Sequence, residues 1–102
     1  MTNLEAIKSQ VPYPLKENSF KKVLLDRGLV DTEEYSPDNI KPFELATADA
    51  LHIVITAPNI SEGGYSISVS EKKELRQIAS GLYDKHGASN PFRGTISSIS
   101  PW

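Results

Sequence analysis

Phe43-Glu44-Leu45-Ala46-Thr47-Ala48-Asp49-Ala50-Leu51-His52-Ile53-Val54-Ile55-Thr56-Ala57 is the most informative run in the chain. At about 100° per residue, Phe43, Ala46, Ala50, Val54 and Ala57 fall on one side of a helix and Ala48, Leu51 and Ile55 on an adjoining one. Its coherent polar stripe is Asp49, His52 and Thr56, confined to about 60° of the circumference. A helix that is apolar around most of its girth has to be surrounded, so this one is predicted to be the central helix of a bundle. Its alanines let neighbours approach closely. The helix begins between Pro37 and Pro42, the second proline being tolerable in a first turn, and Pro58 ends it.

Upstream, Leu4, Ile7 and Val11 form a short helical stripe that Pro12 and Pro14 forbid from continuing, so a first helix stops near Gln10. A second helix is expected from Asn18 or Ser19, either of which can cap it, through Phe20, Val23, Leu24 and Leu25. Gly28 suits the left-handed residue after its end, with Leu29 folding back on Leu24 in a Schellman motif. From Asp31 to Asn39 the sequence carries turn chemistry without an apolar period, which predicts a connector.

Downstream, Gly63-Gly64 supplies a bend, and Tyr65, Ile67 and Val69 then alternate with Ser66, Ser68 and Ser70. Period two predicts a strand-like arm between the third and fourth helices. Its apolar side needs cover from the chain's own core or another subunit, and its open edge can pair with a copy of itself or a partner's sheet. A fourth helix is expected from a Ser70 cap, with Leu75, Ile78, Ala79 and Leu82 buried and Gly87 closing it. Lys85 and His86 suit its negative end, and Gly81 inside it points to a close crossing with the alanines of the third helix.

Residues 88–102 are rich in Ser, Gly and Pro and lack a helical period, yet they carry Phe92, Ile96, Ile99 and Trp102. A purely solvated linker would not hold four large apolar residues; they cover the domain's own surface or insert into another protein. The predicted organisation is a mainly α domain over 1–87, a small bundle of about four helices, followed by an extended C-terminal tail over 88–102.

Composition narrows the function. The chain has 102 residues, 38% hydrophobic and 24% charged, which fits one globular domain. A domain of this size buries only about 60 to 65% of its unfolded surface, which favours help from neighbouring subunits. With net charge -2 and pI near 5.6 there is no basic field for nucleic acid; Lys21-Lys22 and Lys72-Lys73 read as solvated helix faces. Cysteine is absent, which excludes disulfides and thiolate metal sites. The opening residues lack a signal-peptide core and no apolar run approaches the roughly 20 residues that span a bilayer, so cytoplasmic residence is expected.

Candidate chemistry is sparse. Asp49 and His52, three apart on one helical face, are the best acid-base pair, but no third group completes a triad or metal set, and the pair reads as polar groups satisfying their own hydrogen bonds. His86 is explained by its helix end. Gly63-Gly64 lacks the spacing and lysine of a phosphate loop. No catalytic residue, cofactor, metal or small-molecule substrate is therefore predicted. The candidate contact residues are the apolar ones outside the helical core: Tyr65, Ile67, Val69, Phe92, Ile96, Ile99 and Trp102.

The order of features resembles the small helical head-tail connector, or head-completion, proteins of tailed bacteriophages and prophages. The residues that carry the resemblance are Leu24-Leu25-Asp26-Arg27-Gly28-Leu29, the helix Glu44 to Leu51, Ser61-Glu62-Gly63-Gly64-Tyr65-Ser66-Ile67-Ser68, and the closing Leu82-Tyr83-Asp84-Lys85-His86-Gly87. It covers residues 1–87. Where many members carry an acidic segment before the second helix, this chain has Pro12, Tyr13 and Pro14. The resemblance implies a non-enzymatic, homo-oligomeric virion protein that forms a ring linking head to tail. It would bind portal and tail-completion proteins, without a membrane or sequence-specific nucleic acid, and reside in the bacterial cytoplasm and the virion neck. The alternatives are a small cytoplasmic adaptor or a DNA-binding regulator, which would need two helices joined by a three- or four-residue turn. An enzyme working through Asp49 and His52 is a further one.

Overall fold

The computed structural model of the chain describes residues 1–11, 13, 15–56 and 68–92. Within them lie four helices: α1 (Asn3–Gln10), α2 (Glu17–Asp26), α3 (Ile40–Thr56) and α4 (Val69–Lys85), with a 3-10 turn at Pro37–Asn39 leading into α3. The fold is mainly α, as the hydrophobic periodicity predicts. The strand-like arm, with Tyr65 and Ile67, lies outside the described residues.

α3 is the hub. Phe43, Leu45, Ala46, Thr47, Ala48, Ala50, Leu51, Val54 and Ile55 are all buried, and α1, α2 and α4 each pack on it. The polar stripe is its one wetter side: Asp49 and His52 are half-buried and Thr56 is exposed. Pro42 falls in the first turn, where its missing N–H leaves no hydrogen bond unmade. Around α3 the core gathers Ile7 and Val11, then Phe20, Val23, Leu24 and Leu29, then Leu75, Ala79 and Tyr83. The backbones of α1 and α4 do not meet, nor do those of α2 and α4, so α4 is held through α3.

Local chemistry explains most helix ends. α1 opens on a capping box in which Thr2 Oγ1 accepts from Glu5 N and Glu5 Oε1 accepts from Thr2 N at 2.9 Å. The connector does more than join helices. Its carbonyls at Glu33 and Asp31 accept from Asn3 N and Leu4 N at 2.8 and 3.1 Å, and Tyr35 N donates to Met1 O at 2.8 Å. First-turn N–H groups of α1 that water would otherwise solvate are thus satisfied by a strap from across the molecule. α2 and α4 both end in Schellman motifs. Leu29 N donates to Leu24 O and Ala88 N to Tyr83 O, each at 2.9 Å, around Gly28 and Gly87 at φ 81° and 65°.

Several sequence expectations need correction. α2 begins at Glu17 with Lys16 as an N-cap that makes no side-chain bond, so Asn18 and Ser19 sit inside the first turn. Ser19 N and Phe20 N donate to Lys16 O instead, and Glu17 pairs with Lys8 and Lys21. α4 is capped by Ser68, not Ser70: Ser68 Oγ accepts from Glu71 N at 3.1 Å and Ser68 N donates to Glu71 Oε1 at 3.3 Å. The three-residue spacing that a capping box needs separates Ser68 from Glu71, whereas Ser70 is adjacent to Glu71. Val69 therefore heads α4 and is not part of an extended arm. Gly81 faces water with nothing within 4 Å of where a Cβ would stand, and the buried small residue of α4 is Ala79. Ile78, expected in the buried stripe of α4, is 54% exposed, and Leu25 of α2 is 70% exposed. Adjacent Leu24 and Leu25 point about 100° apart, so a core that takes the first leaves out the second.

Candidate functional site

Asp49 is the centre of a polar arrangement that joins three helices. Arg27, the residue capping the C-terminal end of α2, donates from Nε to Asp49 Oδ2 at 2.8 Å and from Nη2 to Oδ1 at 2.9 Å. Tyr83 Oη of α4 donates to Oδ1 at 2.6 Å. A two-pronged guanidinium–carboxylate pair and a phenol thus tie α2, α3 and α4 at one point. The hydrogen bond to Asp49 holds the Arg27 guanidinium above its ordinary value, with burial working against it. Burial first, and the bond to Asp49 second, push the Tyr83 phenol well above its ordinary value, so it stays a proton donor.

This arrangement takes Asp49 away from His52. The carboxylate that sequence spacing offers as a partner for the imidazole is turned to Arg27 and Tyr83, while the His52 ring stands edge-on to Phe92 at 5.1 Å between centroids. His86 has a partner that the sequence did not suggest. Its Nε2 lies 2.7 Å from Glu44 Oε1, which also accepts from Lys85 Nζ at 2.8 Å, stitching the end of α4 to the start of antiparallel α3. The Lys85 bond, and then that of His86, hold the Glu44 carboxyl below its ordinary value against the opposing effect of burial. Among the described residues no group of three His, Asp or Glu side chains lies close enough to hold a metal ion, and no helix is long and apolar enough to cross a membrane.

Of the predicted contact residues, Tyr65, Ile67, Ile96, Ile99 and Trp102 lie outside the described residues, and Val69 opens α4. Phe92 is half-buried on the molecule itself, beside His52 and Tyr83 with the Arg76 guanidinium 5.9 Å above its ring. An Asx turn aims it there: Asn90 Oδ1 accepts from Phe92 N at 3.0 Å while Asn90 Nδ2 donates to Ser80 Oγ at 2.7 Å. The packed unit accordingly runs on past Gly87 to Phe92.

Two apolar grooves open on the surface of the described residues. The larger, about 410 Å³, lies between α1 and α4 over α3, floored by Phe43, Thr47 and Leu51 and edged by Met1, Ile40 and Ile78. The smaller, about 270 Å³, follows the outer side of α2 past Leu25 and Val30, beside Lys21 and Lys22. The large hydrophobic residues exposed among the described residues are Met1, Leu25, Val30, Ile40 and Ile78, and every one borders one groove or the other. Sequence reasoning missed both grooves, although the paired Leu24-Leu25 signals the second.

Over its whole length, residues 1–102, the chain matches the model of a protein family described as a family of unknown function, DUF6706, and belongs to that family. No curated protein and no solved structure matches it.

Proposed function

We propose that this member of the DUF6706 family is a structural assembly protein, a phage or prophage head-tail connector that forms an oligomeric ring between portal and tail. It would act in the bacterial cytoplasm during assembly and in the virion neck afterwards. The observation that carries the reading is the sorting of exposed apolar side chains into two grooves with no residue in common. Scattered surface hydrophobes need no explanation, but hydrophobes collected into two separate concave patches favour protein contact. Two unlike patches give a subunit two unlike sides. Head-to-tail contact between unlike sides closes into a ring where the rotation permits.

The helix order and the Leu24–Leu29 turn that carry the resemblance to connector proteins add support, as does the engagement of Asp49 in a helix-tying network. The regulator alternative fares less well, since residues 27–39 separate α2 from α3, far more than the short turn of a helix-turn-helix. Light scattering and native mass spectrometry across a concentration series test the proposal, together with pull-down on portal protein. Species larger than a dimer that grow with concentration, and retention on portal, are expected. A strict monomer at high concentration that ignores portal overturns it, and a salt-dependent shift of duplex DNA would move the choice to the regulator.

A further inference from the structure

The groove between α1 and α4 is a gap in the bundle. α3 is covered on one flank by α1 and on another by α4, but these two do not meet, and between them Phe43, Thr47 and Leu51 form a floor. Met1, Ile40 and Ile78, exposed at 66%, 39% and 54%, stand along its rim. We infer that this groove is the seat of residues 93–102 of a second copy of the chain, which lay Ile96, Ile99 and Trp102 against it.

Two observations choose this occupant. The first is chemical: the segment carries three large apolar side chains at a spacing of three, which puts them on one side of an extended chain with three residues per turn. An extended apolar strip suits a long apolar trough. The second is the position of Phe92, where the described residues end. The α4 residues associated with it and with its Asx turn are Arg76, Ser80 and Tyr83, whereas those lining the groove are Ile78 and Leu82. On a helical wheel the two sets lie on opposite flanks of α4, at least about 160° apart around its outer face, with water-facing Lys73, Gln77 and Gly81 between them.

That geometry decides between the chain's own groove and a neighbour's. A segment returning to its own groove must cross the outer face of α4, and a chain laid over a helix runs roughly 7–8 Å from the axis, a half-turn path of about 24 Å. At about 3.4 Å per extended residue the crossing takes about seven residues. Ile96, four past Phe92, would stop on the far side and Ile99 at the rim, with Trp102 alone arriving. In a neighbour's groove all three can lie down together. The inference needs neither portal nor virion and stands or falls separately from the connector reading.

The cysteine-free chain makes a direct test possible. Full-length Ile78→Cys and full-length Ile96→Cys are mixed under mild oxidation, with Gln77→Cys replacing Ile78→Cys as the control. Both helix positions are exposed, so the fold tolerates the change. Docking raises the local concentration to roughly millimolar, so at about 10 µM protein the mixed disulfide dimer should form on the order of a hundred times faster with Ile78→Cys than with the control. Equal rates overturn the inference. So does a monomeric disulfide in the doubly substituted Ile78→Cys/Trp102→Cys chain without mixed dimer, which would place the segment on its own molecule. Loss of the fast phase when Ile99 and Trp102 are both changed to Ser, with the helical spectrum unchanged, is the expected second result.

Discussion

Asp49→Ala removes the acceptor for three hydrogen bonds at once, two from Arg27 and one from Tyr83, and with them the only polar tie shared by α2, α3 and α4 among the described residues. An exposed ion pair contributes roughly 0.2–1 kcal/mol, and breaking a buried one costs about 3–5 kcal/mol. Here the Arg27 and Asp49 side chains are 29% and 23% exposed, and Tyr83 keeps only 2% of its surface in water. The substitution strands a phenol O–H and part of a guanidinium, so the expected loss falls between those limits, at about 2.5 kcal/mol. With a urea slope near 1.2 kcal/mol/M, typical for this size, the midpoint drops by about 2 M. The melting temperature falls by roughly 10–20 °C. Tyr83→Phe, which spares the Arg27 pair, should cost about 1 kcal/mol. Urea unfolding followed by circular dichroism gives these values, and a cycle with Arg27→Ala gives the coupling, expected at about 1–2 kcal/mol. An Asp49→Ala loss below about 0.5 kcal/mol, or additive single changes, would refute the claim that this node ties the helices.

Ser68→Ala should destabilise by about 1 kcal/mol through loss of the cap, while Ser70→Ala, inside the first turn, stays within about 0.5 kcal/mol of the parent, both read from thermal melts. The Glu44 carboxyl is lowered on folding by Lys85 and His86 from an ordinary value of 4.5. A carboxyl lowered in this way stabilises the fold above its unfolded value and loses that contribution as pH falls through its folded value. Stability should therefore decline as pH drops below 4.5, and Glu44→Gln should flatten that acid limb in urea titrations across pH; an unchanged slope would remove Glu44 from the account.

The hub was legible because α3 carries its evidence locally. A run apolar around most of its girth has one structural consequence, and Phe43, Leu45, Ala46, Ala48, Ala50, Leu51, Val54 and Ile55 are buried as that consequence requires. The Schellman turn at Gly28 was equally readable, since glycine at that position has one physical purpose there. What escaped were features that depend on partners distant in sequence. Asp49 reads as a mate for His52 until Arg27 and Tyr83 arrive from other helices, and nothing in Glu33 or Asp31 announces that their carbonyls will cap α1. The Ser68 cap was missed for a different reason. Alternation of Ile67 and Val69 with serines fits a strand as well as it fits the entry to a helix, and Glu71 settles the matter through a bond that period counting ignores.

α4 joins the rest of the molecule through α3, the Asp49 node and the Glu44 stitch, and its backbone does not approach that of α1 across the open groove. Whatever fills that groove bridges Ile78 of α4 to Met1 and Ile40 on the other bank, supplying a contact that the isolated subunit lacks. Binding to the closed arrangement but not to one with α4 swung away stabilises the fold by mass action, in proportion to the logarithm of occupant concentration. If a second copy fills the groove as inferred, assembly and folding are coupled through this one helix. A subunit of this size, short of buried surface by itself, would then gain rigidity from its neighbour, and the apolar rim left open in isolation would be what the neighbour recognises.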